Sequence, residues 1–182
     1  MKAAVESGYL ARSPCVGVKL PKETRRDMLF LTSAEIERLA SCIVEPYGVT
    51  IYFAAYSGLR FGEISALRVR RLDLLGARVR VAEAYSDVSG KLHLGPPKSG
   101  KERAVPVPRS VCDALAPALE GKGQDDLLFL APEGGPLRQG NFYHRKYKPA
   151  VEAAGLPRSC AFMIMPTPAL CRPRLGFACL RR

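Results

Sequence analysis

The sequence predicts an α+β fold, mainly helical, with a small three-stranded antiparallel sheet. Three observations carry this expectation. Helix start and stop signals recur at 32–44, 49–57, 61–67, 109–119 and 139–154. A stretch from Arg78 sets Val79 and Val81 against Arg78 and Arg80, the period of a half-buried strand. The 182 residues are 47% hydrophobic, enough for one ordinary core and too much for a chain disordered throughout.

Taken in order, Met1–Leu10 reads as a last helical turn or two, and Ser13–Lys22 as a linker around Pro14, Gly17 and Pro21. Leu31-Thr32-Ser33-Ala34-Glu35-Ile36 supplies an N-cap threonine, a glutamate three residues on and an apolar pair flanking them, opening a helix expected to reach about Val44. A second helix covers about Val49–Ser57 and breaks at Gly58. A third, short helix follows Arg60 and ends before Arg68. The strand Arg78–Ala84, a turn at Ser86–Gly90 and the strand Lys91–Leu94 predict a hairpin. Arg103–Val107 is a third strand, placed at the edge because Pro106 cannot donate to a ladder. A helix at about Arg109–Leu119, an apolar stretch Leu127–Leu130, a turn at Gly134-Gly135-Pro136 and a helix at about Gln139–Ala154, interrupted near Pro149, complete the ordered part.

Charge narrows the partners. Twenty-eight Lys and Arg against 17 Asp and Glu give +11 and a pI near 9.7, which points to a polyanion. Arg outnumbers Lys nineteen to nine, a bias suited to forked phosphate contacts. No run of about 18 apolar residues occurs, and Glu6 stands where a signal peptide needs its apolar stretch, so neither a membrane partner nor export is expected and the chain is read as cytoplasmic. Six cysteines form no CxxC pair and only two histidines are present, which indicates neither a zinc site nor a disulfide framework. They are expected to be buried or incidental thiols. Residues 158–182 differ from the rest, with five Arg, three Cys, no acid, and prolines that leave no helical or strand period.

Chemistry concentrates around Tyr56-Ser57-Gly58-Leu59-Arg60-Phe61-Gly62-Glu63-Ile64. Two glycines allow backbone to approach a ligand, and an arginine between two helices can fork onto a phosphate. Glu63, three residues on, can hold that guanidinium in place; an ordinary surface Arg–Glu pair fits the same spacing. The loop Gly95-Pro96-Pro97-Lys98-Ser99-Gly100-Lys101-Glu102-Arg103 joins two strands and carries Lys98 and Lys101 at its tip, where a lysine can reach a groove or protonate a leaving oxygen. Its GxxxxGK spacing imitates a nucleotide loop. Glu102 occupies the position that must bind Mg²⁺ and a strand follows instead of a helix, so the nucleotide reading fails. His93 and His144, the aromatic residues Phe142, Tyr143 and Tyr147, and the run Arg68, Arg70 and Arg71 read as surface or packing residues.

These residues together resemble the tyrosine recombinases, and among them phage integrases of actinobacterial type. Ser57–Glu63 matches the family's Thr/Ser-Gly-Leu-Arg-x-Gly-Glu motif, and Lys98 sits in a Pro-Lys-Ser/Thr turn. Arg103-x-Val-Pro-Val-Pro, Gly134-Gly135-Pro136-Leu137, and Pro149-Ala150 through Gly155-Leu156-Pro157 follow in the family's order. The resemblance spans roughly residues 1–157. It implies three parts: 1–22, similar to the last core-binding-domain helix and interdomain linker; 23–157, the N-terminal part of a partial catalytic domain; and 158–182, an aberrant, disordered tail compatible with a frame-slipped reading of the family's His-Asp-x-x-His-Thr segment.

The resemblance also implies function. Such enzymes cleave DNA without metal or cofactor: a tyrosine attacks the scissile phosphate, two arginines and a histidine stabilise the pentacoordinate charge, and the lysine protonates the leaving oxygen. On this chain Arg60 and Lys98 take catalytic roles with Glu63 in support, and Arg60, Lys98, Lys101, Arg103 and Arg138 are the expected DNA-binding set. Double-stranded DNA is the expected partner, together with a full-length recombinase protomer; no small-molecule substrate is expected. The sequence departs from the family in holding no His-x-x-Arg motif and no tyrosine after Tyr147. Two expectations follow: a site-specific recombinase present as a catalytically inactive fragment, or a basic DNA-binding module acting as an inert protomer. A partial domain is also expected to uncover apolar surface on the helices near Thr32–Ser57 and to be marginally stable.

Overall fold

The computed structural model describes residues 2–17 and 31–157. The segment 18–30 and the tail 158–182, including Cys160, Cys171 and Cys179, lie outside the described residues. So do the frame-slip expectation and the boundary between residues 22 and 23.

Helix α1 (Lys2–Glu6) is a single turn and a half that buries none of its residues. Helix α2 (Ser33–Cys42) opens with the capping box that the sequence announces. Glu35 N–H donates to Thr32 Oγ1 at 3.3 Å, and Thr32 N–H to Glu35 Oε2 at 2.7 Å, so two donors at the helix start are satisfied reciprocally. The helix stops at Cys42, two residues short of the expected Val44, because Ile43 already takes an extended backbone and turns its side chain into the core. Helix α3 (Gly48–Ser57) is apolar on every side. It ends where Gly58, at φ 63°, donates its N–H to Ala54 O. Ile51, Phe53 and Ala54 are buried, while Val49, Tyr52, Ala55 and Tyr56 are partly covered and pack against the core. Burial raises the Tyr52 phenol, with Glu37 adding to the effect.

Helix α4 (Phe61–Ser65) is short and fully packed, and a 3₁₀ turn (Val69–Arg71) leads from it into the strands. A three-stranded antiparallel sheet is present, but its membership differs from the expected one. Strand β2 (Arg78–Val81) lies between β1 (Leu72–Asp73) and β5 (Arg103–Pro106), whereas β3 (Ala84–Val88) and β4 (Lys91–Gly95) form a separate hairpin. The chain from 78 to 88 breaks at Ala82-Glu83. Its first half pairs with β5, Val79 opposite Val105, and its second half with β4, Tyr85 opposite Leu94. The hairpin turn is also tighter than expected: Ser89 and Gly90 occupy it alone, both at positive φ, the combination whose twist suits a two-residue connection. Val79 and Val81 face inward and Arg78 and Arg80 outward, and β5 is an edge strand carrying Pro106.

Helix α5 (Arg109–Leu119) matches its predicted bounds. Leu127–Leu130 runs beside the chain after α4, with single bridges Arg68↔Leu127 and Leu130↔Pro136. The last helical segment comprises α6 (Gln139–Phe142), a π turn (Tyr143–Tyr147) and α7 (Lys148–Ala153). Pro149 lacks the N–H that would bond four residues back. The ladder has already widened, with Lys148 N–H reaching Tyr143 O, so the interruption is a bulge and the helix continues through it.

One core unites helices α2–α7 with strands β2 and β5. Phe53, Leu39, Leu59, Ile64, Leu115 and Leu128 are its most deeply buried apolar side chains. Phe142 and Tyr147 lie in it as expected of packing residues, Phe142 edge-on to Tyr47 at 5.5 Å between ring centroids. Cys112 is buried, and burial pushes its thiol up; Cys42 is partly covered and Cys15 exposed.

Candidate functional site

Arg60 is the N-cap of α4. Its extended backbone (φ −69°, ψ 150°) lets the helix begin at Phe61 and places its N–H 2.9 Å from Glu63 Oε2. Glu63 sits three residues along, so one helical turn folds its carboxylate back onto the arginine that precedes the helix. The Glu63 side chain is 1% exposed, Arg60 60%. Arg60 Nη1 touches Glu63 Oε1 at 3.4 Å, and among the described residues its Nε and Nη2 take no partner.

The principal partner of Glu63 is a different arginine. Arg103, on β5, donates Nη1 to Oε1 at 3.0 Å and Nη2 to Oε2 at 2.7 Å, a two-pronged contact across 40 positions of sequence. Each carboxylate oxygen therefore accepts two donors, one from each arginine, which fills the four lone-pair directions available to it. Burial by itself would raise the Glu63 carboxyl. The Arg103 fork, the Arg60 amide and the two positive charges outweigh it and hold the group below the usual glutamate range.

The two glycines flanking Arg60 serve the fold. Gly58 closes α3 in the left-handed region. Gly62 lets α4 press against β3, since a Cβ there would lie 2.2 Å from the Tyr85 carbonyl oxygen. The close approach is thus to a strand of the chain itself, where the sequence reading had allowed a ligand.

Lys98 stands on the β4–β5 loop, in a turn closed by Gly100 N–H on Pro97 O at 2.7 Å. Pro97 is buried and Lys98, Ser99, Gly100 and Lys101 are exposed, so the loop is pinned at its base and offers its lysines to solvent. Arg138, the N-cap of α6, reaches across to the hairpin: Nη1 is 2.8 Å from Gly90 O and 3.8 Å from Asp87 Oδ2. A cavity of about 460 Å³ opens between the hairpin and this helix, with Leu92, Pro136 and Phe142 among its apolar walls and Arg138 and Arg145 at its rim. The structure thus brings Arg60, Glu63 and Arg103 into contact, sets Lys98 and Lys101 on one exposed loop, and ties Arg138 to the β3–β4 turn.

Arg68 and Arg70 are not a free basic helix end: Arg68 Nη1 donates to Asp125 O and Arg70 pairs with the Asp125 carboxylate. Arg68 Nε also lies 3.9 Å from Glu83. Among the described residues no cluster of His, Cys, Asp or Glu could hold a metal ion, and no helix is long and apolar enough to cross a membrane. Sequence reasoning missed the Arg103–Glu63 pair, for which a register of β5 against α4 would have been needed.

Comparison with known proteins agrees with this geometry. The model of the Phage integrase family matches residues 29–162. The integrase of Mycobacterium phage L5 is 29% identical over 150 residues, 78% of this chain and 40% of the phage protein. Tyrosine recombinase XerC of Haemophilus ducreyi is 29% identical over 171 residues, 89% of this chain and 50% of that protein. The chain therefore spans half or less of the length of these curated relatives. In fold it is similar to the Tn1549 transposon integrase solved in complex with transposon right end DNA, with a TM-score of 0.64 at 20% identity over 78% of this chain and 50% of that one. The chain belongs to the phage integrase family of tyrosine recombinases.

Proposed function

We propose that this chain supplies the phosphate-binding part of a site-specific DNA recombinase, acting in the cytoplasm on double-stranded DNA. The observation that carries the reading is the Arg60–Glu63–Arg103 constellation. It presents a guanidinium with open donors at a helix start and anchors that residue's backbone N–H on a saturated, buried carboxylate. Such a group is aimed at an anion and costs little reorganisation when charge develops on it. Arg60 would meet the scissile phosphate, Glu63 would support it, and Lys98 on its pinned loop would lie ready to protonate a leaving oxygen. Lys101 and Arg138 would add backbone contacts, while Arg103, with both terminal nitrogens on Glu63, enters through that carboxylate.

The 182 residues by themselves would bind without cleaving, because no tyrosine follows Tyr147 and the described tyrosines nearest the helix end are packing residues. In that state the chain would sit as a non-catalytic protomer beside a complete recombinase, a reading favoured by the exposed basic groups Lys98 and Lys101. A nicked suicide duplex tests both parts. The chain should retain the duplex in a native gel and leave no covalent adduct after denaturation, and Arg60→Ala should lose most of the retention. Absence of retention would overturn the binding role, and an adduct would overturn the non-cleaving one.

A further inference from the structure

We infer that Arg103 is a positioning residue: by occupying Glu63 it keeps the Arg60 guanidinium turned outward and available to phosphate. This deepens, and rests on, the reading of Arg60 as a phosphate-binding group.

The argument is one of competition for a single carboxylate. Glu63 is buried and cannot be left unpaired at low cost. Among the described residues two arginines are within reach of it, and they share it unequally. Arg103 gives a close fork at 2.7 and 3.0 Å, whereas the Arg60 side chain offers one nitrogen at 3.4 Å and stays 60% exposed. A cation meant chiefly for an external phosphate would keep its terminal nitrogens outward. Arg103 spends both on the protein.

Without Arg103, the only remaining cation in contact with Glu63 among the described residues is Arg60. Its guanidinium would then close onto the carboxylate as a two-pronged pair and withdraw from solvent. A group that binds DNA directly and one that acts through Arg60 therefore predict different patterns of substitution. Lysine is informative because it keeps the charge but cannot reproduce the fork, and a lysine serves well as a plain phosphate contact.

The test measures affinity for a duplex at fixed salt, with thermal melting to confirm that each variant is folded. Arg60→Gln should weaken binding about tenfold, the loss of one charge-assisted contact. Arg103→Gln should weaken it comparably, and Arg103→Lys nearly as much. Arg103→Gln should cost nothing further in the Arg60→Gln background. Adding Glu63→Gln to Arg103→Gln should restore affinity, since a neutral amide no longer draws Arg60 inward. Additive losses, full retention of affinity by Arg103→Lys, or failure of the Glu63→Gln rescue would each overturn the inference.

A readout independent of DNA separates this inference from the reading beneath it. In ¹⁵N spectra of arginine side chains, the Arg103 Nη groups should rotate slowly and those of Arg60 fast. In Arg103→Lys, Arg60 should become the slow one. If Arg60→Gln leaves DNA affinity unchanged but this exchange of mobility occurs, the phosphate-binding reading fails and the positioning relation stands. If Arg60 keeps its mobility, the positioning relation fails.

Discussion

Gly62 on α4 approaches the carbonyl oxygen of Tyr85 on β3 so closely that a Cβ at position 62 would lie 2.2 Å from it. The atom met is backbone, which cannot swing aside. This contact sets the distance between the helix that carries Arg60 and Glu63 and the hairpin that leads to the Lys98 loop. Gly62→Ala should therefore push α4 off β3 and destabilise the fold by about 1–3 kcal/mol, the usual range for overpacking. Denaturant unfolding checks it: a lower midpoint with an unchanged slope is expected, and a midpoint equal to wild type would show that the two elements can separate freely.

Glu63 makes stability depend on pH. Its carboxyl lies below its ordinary value of about 4.5 in the folded chain, because the Arg103 fork and the Arg60 amide outweigh burial. A depressed folded value means that the stabilisation is present above the unfolded value and is lost as pH falls through the folded one. Melting temperature should thus drop as pH is lowered below about 4.5, with Glu63 contributing to the drop. Glu63→Gln should flatten that limb and lower stability at neutral pH, since it breaks a buried pair from one side. By the same logic Arg103→Gln should cost about 3–5 kcal/mol before any relaxation of Arg60 onto Glu63 offsets part of it.

Thr32 and Glu35 form the reciprocal cap of α2. Thr32→Ala should cost about 1 kcal/mol, and Thr32→Ser much less, because the hydroxyl and not the methyl accepts the Glu35 amide. Equal melting of the two variants would show that the cap contributes nothing.

Lys98 separates binding from folding. It is exposed on a turn whose base is held by buried Pro97 and by Gly100 N–H on Pro97 O. Lys98→Ala should leave stability within about 0.5 kcal/mol of wild type while weakening duplex binding. A clear fall in melting temperature would mean that the side chain has a structural partner.

Local signals were legible in the sequence and distant ones were not. The Thr32 cap, the Gly58 stop and the bounds of α5 depend on residues a few positions apart, and each was readable as written. The sheet membership was not legible because Ala82-Glu83 shows no proline or glycine where the strand breaks. The π turn before Pro149 was visible only as an interruption, since the ladder shift that absorbs a proline leaves no residue pattern of its own. At the site, Arg60 and Glu63 were legible as a three-residue spacing. Arg103 was read as one more cation for DNA, because nothing in the sequence records that β5 delivers it 40 positions away onto the same carboxylate.

The most direct measurement is duplex affinity across a salt series for the wild type and Arg60→Ala. Phosphate contacts release counterions, so the logarithm of the binding constant should fall linearly with the logarithm of salt concentration, each contact adding about 0.9 to the slope. The account predicts a steep slope for the wild type and one smaller by about 1 for Arg60→Ala. Identical slopes for the two proteins would contradict it, and would show that the open guanidinium above Glu63 does not face DNA.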